Sequence, residues 1–251
     1  MDISKYLQRL KIENIAKLDL SNLKLLHKNH LYNIPFENLD IHYNKKIILD
    51  FEFLENKILN NGRGGFCYEL NGLFYKLLSE LGYKVKMICA GVYNNEGIPG
   101  PDYDHMALIV NINNEEYLAD VGFGDNFLEP PKLELDTTQK DEAGFFKIVK
   151  HDENYFQLCR SADGINFKGE YLFKIDEEKL ENFQTMCNYH QTSPESHFTQ
   201  KRVCSKAVEN GRITLSDLKI IKTEKGIRTE TELKDESEFL ESLKKYFGIV
   251  L

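Results

Sequence analysis

The stretch Arg63-Gly64-Gly65-Phe66-Cys67-Tyr68-Glu69-Leu70-Asn71 sets a cysteine between a flexible glycine pair and an apolar helix. Leu70, Leu73, Phe74, Leu77, Leu78 and Leu81 recur at offsets 0, 3, 4, 7, 8 and 11, one helical stripe that closes at Gly82. Cys67 therefore falls in, or just before, the first turn. Unpaired N–H groups and the positive end of the helix dipole favour an anion there, so the spacing predicts a thiol pKa below its free value of about 8.5. The same position suits a small buried hydrophobe, the role many free cysteines have. The stripe alone leaves both readings open.

Upstream of this stretch the pattern is helical. Tyr6, Leu7 and Leu10 form one stripe and Leu20, Leu23, Leu26 and His27 another, until Ile34-Pro35-Phe36 breaks the run. Downstream the period changes to near 2. Val85–Tyr93, His105–Ile112 and Tyr117–Phe123 read as strands, followed by Phe145–Val149, Tyr155–Cys159 and Tyr171–Ile175. Short runs joined by turns such as Asn113-Asn114 and Asp163-Gly164 favour hairpins, hence an antiparallel sheet or barrel. Asp136 to Gly144 reads as an exposed loop and Gln191 to Glu195 as a polar linker. More strand-like segments lie near Val203 and Ile213, and a helix over Glu236 to Phe247 closes the chain.

With 251 residues the chain can bury a large core, as one domain or as two to three subdomains. Its net charge of -8, from 32 basic and 40 acidic residues, provides no field for nucleic acid or an anionic membrane. No signal peptide or transmembrane helix is expected. Five cysteines without close pairing (Cys67, Cys89, Cys159, Cys187, Cys204) read as free thiols of a reducing cytoplasm.

A nucleophilic thiol needs a base, and the base needs an orienting group. If Asn113-Asn114 is a two-residue hairpin turn, Ile112 pairs with Glu115, and counting back pairs Ala107 with Asp120. His105 then shares a face with Asp120 and lies diagonal to it, whereas a one-residue slip would separate them. The register thus predicts an Asp120–His105 hydrogen bond. A strand-end histidine and a turn aspartate are the competing interpretations. Cys187, His190, His197 and Cys204 are four potential zinc ligands, but their spacing fits no common paired-ligand pattern, so no metal is expected.

Five motifs in order resemble the arylamine N-acetyltransferase family. They are Ile34-Pro-Phe-Glu-Asn-Leu39, Arg63 to Asn71, Asp104-His105-Met-Ala-Leu, Tyr117-Leu-Ala-Asp120-Val-Gly-Phe-Gly124, and Thr192-Ser-Pro-Glu-Ser-His-Phe198. The likeness runs from about Tyr6 to Gly211. It implies an α+β fold with a cysteine-protease-like Cys-His-Asp core: a helical bundle over 1–83, an antiparallel β-barrel over 84–186 and an α/β lid over 187–251. It also implies ping-pong transfer of an acetyl group from acetyl-CoA, as co-substrate, through Cys67 to an arylamine, arylhydrazine or arylhydroxylamine. Cys67, His105 and Asp120 would be catalytic. Pro101, Asp102 and Gly124 would meet the donor, although an inward Asp102 would repel a CoA phosphate. Phe36, Phe123 and Asp104 would meet the acceptor.

Arg63 and Glu37 are expected to pair and brace the cysteine loop, the alternative being a solvent-exposed charge on each; Lys201, Arg202 and Lys206 could attract the CoA phosphates, but a short basic run is usually a solvated face. The role would be cytoplasmic xenobiotic metabolism. An amide synthase or thiol hydrolase with the same triad is the rival enzyme class, and a catalytically silent binding module is the third.

Overall fold

The computed structural model describes residues 1–251. Its first third is helical because caps and stripes coincide. Asp2 opens α1 (Ile3–Leu10) by accepting the Lys5 N–H, and Asp19 opens α2 (Leu20–Asn33) by accepting the Asn22 N–H. α2 stops where Ile34-Pro35 imposes extended backbone. A two-residue strand, β1 (Phe36–Glu37), follows, then the short α3 (Leu39–His42) and α4 (Phe51–Glu55). The Gly62-Arg63-Gly64-Gly65 loop leads into α5 (Cys67–Leu81). Leu70, Leu73, Phe74, Leu77 and Leu78 of the predicted stripe are buried, and Gly82 ends the helix at φ 103°.

Beyond α5 come β2 (Lys84–Val92), β3 (His105–Ile112), β4 (Glu115–Ala119), β5 (Gln139–Asp141), β6 (Gly144–Lys150), β7 (Phe156–Ser161) and β8 (Lys168–Phe173). They form one antiparallel sheet in the order β4-β3-β2-β8-β7-β6-β5. Both faces of its β2–β3 centre are covered. Met106, Leu108 and Val110 share the core with α5, while Ala107 and Ile109 face Phe127, Phe146 and Tyr171 inside the curl of the sheet. Burial on both faces explains the unbroken apolar run after His105.

The expected barrel is a half-barrel: the strand order is linear, with β4 and β5 as ends. The 131–136 segment spans these ends. It exchanges backbone bonds with β4 at Leu118–Pro131 and Leu133–Glu116, then bridges Leu135 to Ile148 of β6. The expected Asp136–Gly144 loop contains β5. Asp141, at its end, accepts the Leu128, Glu129 and Ala143 N–H groups and so fixes polar sequence as an edge strand. The expected strand Tyr117–Phe123 stops at Ala119, because the Asp120 carboxylate accepts the Gly122 N–H and turns the chain.

Helices α6 (Gln184–Thr192) and α7 (His197–Gln200) follow. α6 extends into the expected linker, since the Gln191 side chain accepts the Ile47 N–H at 2.9 Å and donates to the Ile47 carbonyl. The last strands, β9 (Val203–Val208), β10 (Gly211–Ser216), β11 (Lys219–Glu224) and β12 (Ile227–Glu232), build a second antiparallel sheet. α8 (Glu236–Ser242) and the π turn after it pack Phe239, Leu243 and Phe247 on Cys204, Ile213 and Leu215. The first strand of this sheet is β1, which pairs Phe36 with Ser205 and Glu37 with Cys204. A piece of the helical third is thereby held by the C-terminal sheet.

Candidate active site

The cysteine loop is placed by close backbone packing. A Cβ on Gly64 would lie 1.9 Å from the Pro35 carbonyl oxygen, and one on Gly65 would strike Glu69, so neither position admits a side chain. Cys67 is the first residue of α5 and is only 3% exposed. Glu69 accepts the Phe66 N–H at 3.1 Å, one half of a capping box. The thiol does not have the low pKa that the dipole argument predicts. Burial pushes it well above its ordinary value, and Asp104 and Asp120 push it the same way. Desolvation of the thiolate outweighs the helix end.

The hairpin follows the predicted register. Asn113 and Asn114 both have positive φ, 53° and 66°, Ile112 faces Glu115, and Leu108 faces Ala119. His105 at the start of β3 and Asp120 just past β4 meet, Nε2 to Oδ2 at 2.8 Å, with both side chains buried. The Nε2–H thus donates to the carboxylate, which leaves Nδ1 as the basic nitrogen. Asp120 Oδ1 accepts from Asn71 Nδ2 at 2.9 Å and from the Gly122 N–H at 3.0 Å. Burial raises the Asp120 carboxyl, but His105, Asn71 and Gly122 together hold it below the ordinary range. Gly122 packs against Cys67: a Cβ there would lie 2.7 Å from Cys67 Cα.

Arg63 binds Glu37, with Nε at 2.9 Å, and also Asp40 at 2.9 Å. Lys57, which the sequence did not single out, adds bonds of 2.8 Å to both Asp40 and Glu69. Four buried ionic groups and the half-buried Lys57 therefore brace the loop from below. A cavity of about 470 Å³ touches this cluster but none of Cys67, His105 and Asp120.

Cys67 and His105 instead line a cavity of about 240 Å³ with Phe36, Phe123, Asp104 and Phe198. Phe123 packs edge-on to the His105 ring at 5.5 Å. Gly124 adjoins the cavity, its Cβ direction open to the Phe36 ring at 3.8 Å with φ at 97°. Pro101 and Asp102 are not in the wall. Asp102 turns to Lys174 and accepts the Tyr155 hydroxyl, so its charge is compensated away from the thiol. The Asp104 carboxylate, although in the wall, takes the Val92 N–H at 3.2 Å and His190 Nε2 at 3.2 Å. Lys201 lines the cavity, whereas Arg202 pairs with Glu236.

The four zinc candidates are dispersed among other partners. His190 joins Asp104 to Ser196, Cys187 takes Gln191, His197 lines the cavity, and Cys204 is in the C-terminal core.

Sequence reading missed two supports of Asp120. Asn71 could have been found, since it is four residues from Cys67 on one helix face. His27, which accepts the Asp120 N–H at 3.1 Å, was hidden in an apolar stripe.

A buried thiol and imidazole on a cavity with aromatic walls, with a carboxylate bonded to the imidazole, suit acyl transfer. A family model described as N-acetyltransferase matches residues 19–251. The arylamine N-acetyltransferase / N-hydroxyarylamine O-acetyltransferase of Salmonella typhimurium is 28% identical over 248 residues, covering 97% of this chain and 87% of that protein. Arylamine N-acetyltransferase 2 of Mus musculus is 30% identical over 234 residues, covering 84% and 79%. An arylamine N-acetyltransferase structure from Bacillus cereus superposes with a TM-score of 0.92 at 28% identity, with all of both chains covered; it is described as having a unique Cys-His-Glu catalytic triad. In this chain the carboxylate on His105 is an aspartate. The chain belongs to the arylamine N-acetyltransferase family and is an enzyme of that type.

Proposed function

We propose that this enzyme carries an acetyl group from acetyl-CoA, as a thioester on Cys67, to the amine of an arylamine, arylhydrazine or arylhydroxylamine. The observation that carries the reading is the His105–Asp120 bond on the cavity that Cys67 also lines. His105 Nδ1 takes the thiol proton as sulfur attacks the donor carbonyl, and the imidazolium forms against Asp120. The Cys67 N–H, at the first helical position and so without an intrahelical acceptor, is a donor for the tetrahedral oxyanion. His105 returns the proton to the departing CoA thiolate. In the second half, His105 takes a proton from the attacking amine and Cys67 leaves as the thiol.

Phe36 and Phe123 offer flat walls to an aryl ring. The reading also includes a division into 1–83, 84–186 and 187–251, and a cytoplasmic site supported by five buried free cysteines. No helix is long and apolar enough to cross a membrane.

Intact-mass measurement tests the central step. Incubation with acetyl-CoA should add one acetyl group, lost in Cys67→Ala and discharged by an arylamine. No adduct would end the proposal, and discharge by water alone would favour the thiol hydrolase.

A further inference from the structure

A second histidine–carboxylate pair, His190 with Asp104, adjoins the catalytic one and has no part in the steps above. Its surroundings tie it to two members of the triad. Tyr68 follows Cys67 in sequence, and Asp104 precedes His105. The Tyr68 hydroxyl donates to the Tyr103 carbonyl at 2.7 Å and is 3.0 Å from the Asp104 carbonyl oxygen, so α5 is fastened to the entry of β3 one residue from both nucleophile and base. His190 of α6 joins them. Its Nε2 is 3.2 Å from Asp104 Oδ1 and 3.3 Å from the Asp104 carbonyl oxygen, and its Nδ1 is 3.2 Å from Ser196 Oγ. Ser196 Oγ accepts the Phe198 N–H at 3.3 Å, which leaves its own hydrogen for Nδ1 and directs the Nε2–H at Asp104. His190 is 3% exposed and outside the cavity wall, whereas Asp104 is in the wall.

The junction fixes a backbone that is strained. Tyr103 has a φ of 67°, in the left-handed region that a bulky residue rarely adopts, at a cost of about 1–3 kcal/mol. Such strain persists only where the surroundings over-determine it. Here three donors converge on Tyr103 and Asp104: the Tyr68 hydroxyl, His190 Nε2, and the Val92 N–H, which reaches Asp104 Oδ2 at 3.2 Å. Gly100 leaves room for that carboxylate, since a Cβ there would lie 2.6 Å from Oδ2.

The pair also bears on charge at the thiol. After burial, Asp104 is the strongest influence pushing the Cys67 thiol upward, ahead of Asp120. Burial works against the Asp104 charge itself, and the bond from His190 is the main influence that holds its carboxyl below the ordinary range. The other titratable groups around Asp104 are Cys67 and Tyr68 from α5, His105 beside it and His197 from α7. None of them bonds its carboxylate.

We infer that His190 is a positioning residue of the transfer reaction: from α6 it clamps Asp104, which secures the strained turn before His105 and engages a carboxylate that would otherwise oppose negative charge on Cys67. The inference rests on the acyl-thioester reading above. It gives α6 a part in the chemistry although none of its residues lines the catalytic cavity.

Two rates test it: acetylation of Cys67 by saturating acetyl-CoA, and alkylation of Cys67 by iodoacetamide, an uncharged reagent that needs no donor site. His190→Leu removes the N–H donor and should slow both about tenfold, with KM for acetyl-CoA unchanged. His190→Gln, which retains a donor, should recover most of the rate. His190→Leu combined with Asp104→Asn removes the charge together with its partner and should be faster than His190→Leu alone. A packing role alone would make Gln no better than Leu and the double variant no faster than the single one. Either result, or a His190→Leu variant as fast as the parent in either rate, overturns the inference. If His190→Leu does not fold, Asp104→Asn decides: alkylation of Cys67 should quicken, and an unchanged or slower rate overturns the inference. Failure of the parent reading looks different, since the parent enzyme would then form no acetyl adduct while its thiol still reacted with iodoacetamide.

Discussion

His27 Nε2 accepts the backbone N–H of Asp120 at 3.1 Å, while its Nδ1–H donates to the Leu128 carbonyl at 2.8 Å. The two bonds define a neutral imidazole, stacked on Phe127 at 5.4 Å. The backbone of Asp120, whose carboxylate meets His105, is thus held by a second histidine, from α2. Burial lowers the His27 pKa to about 4 from its ordinary 6.5. An unfolded chain therefore binds this proton below pH 6.5 and the native one only below about 4. Stability should fall as pH drops through that window, by about 3 kcal/mol from this group. Urea melts at pH 7 and pH 4.5 should show a smaller loss for His27→Gln than for the parent enzyme.

Asp120→Asn removes the charge that stabilises the imidazolium and allows the ring to adopt the other tautomer. Single-turnover acetylation of Cys67 should slow by about 10³- to 10⁴-fold. Activity within tenfold of the parent would remove Asp120 from the mechanism.

Gly122→Ala brings a methyl group within 2.7 Å of Cys67 Cα and of Asn71 Nδ2. The neighbour on one side is backbone at a helix start, so relief must come from separating α5 from the Asp120 turn. A cost of about 1–3 kcal/mol in urea denaturation is expected, with a fall in kcat larger than any change in KM.

Arg63→Ala leaves Glu37 and Asp40 buried with Lys57 as their one remaining cation. Breaking a buried pair from one side should cost about 3–5 kcal/mol. Arg63→Met combined with Glu37→Gln should recover part of it. Circular-dichroism melts of the single and double variants measure the coupling.

What could be read in advance was local. The α5 stripe follows from side-chain spacing within one helix, and the His105–Asp120 contact follows from two asparagines that accept positive φ. The thiol pKa was misjudged because a helix end is visible in sequence, whereas the surroundings that desolvate Cys67 come from β3, the Asp120 turn and α6. Barrel closure was misjudged for the same kind of reason: strand runs show which residues pair, and curling depends on the 131–136 segment finding β4 and β6. β5 was missed because its stability comes from side chains such as Asp141 accepting backbone donors, and not from apolar alternation.

The pairing of β1 with β9 bears on how the enzyme is made. Phe36 emerges early in synthesis, but its strand partner Ser205 emerges only in the last fifth of the chain. A nascent chain that has completed β8 already contains Cys67, His105 and Asp120, yet it lacks the strand that holds one aromatic wall in place. Closing so long a loop is entropically slow and comes late. The Cys67 side of the cavity should therefore be open on the ribosome and be covered only when the C-terminal sheet docks, which makes the last strands a folding checkpoint for the cavity.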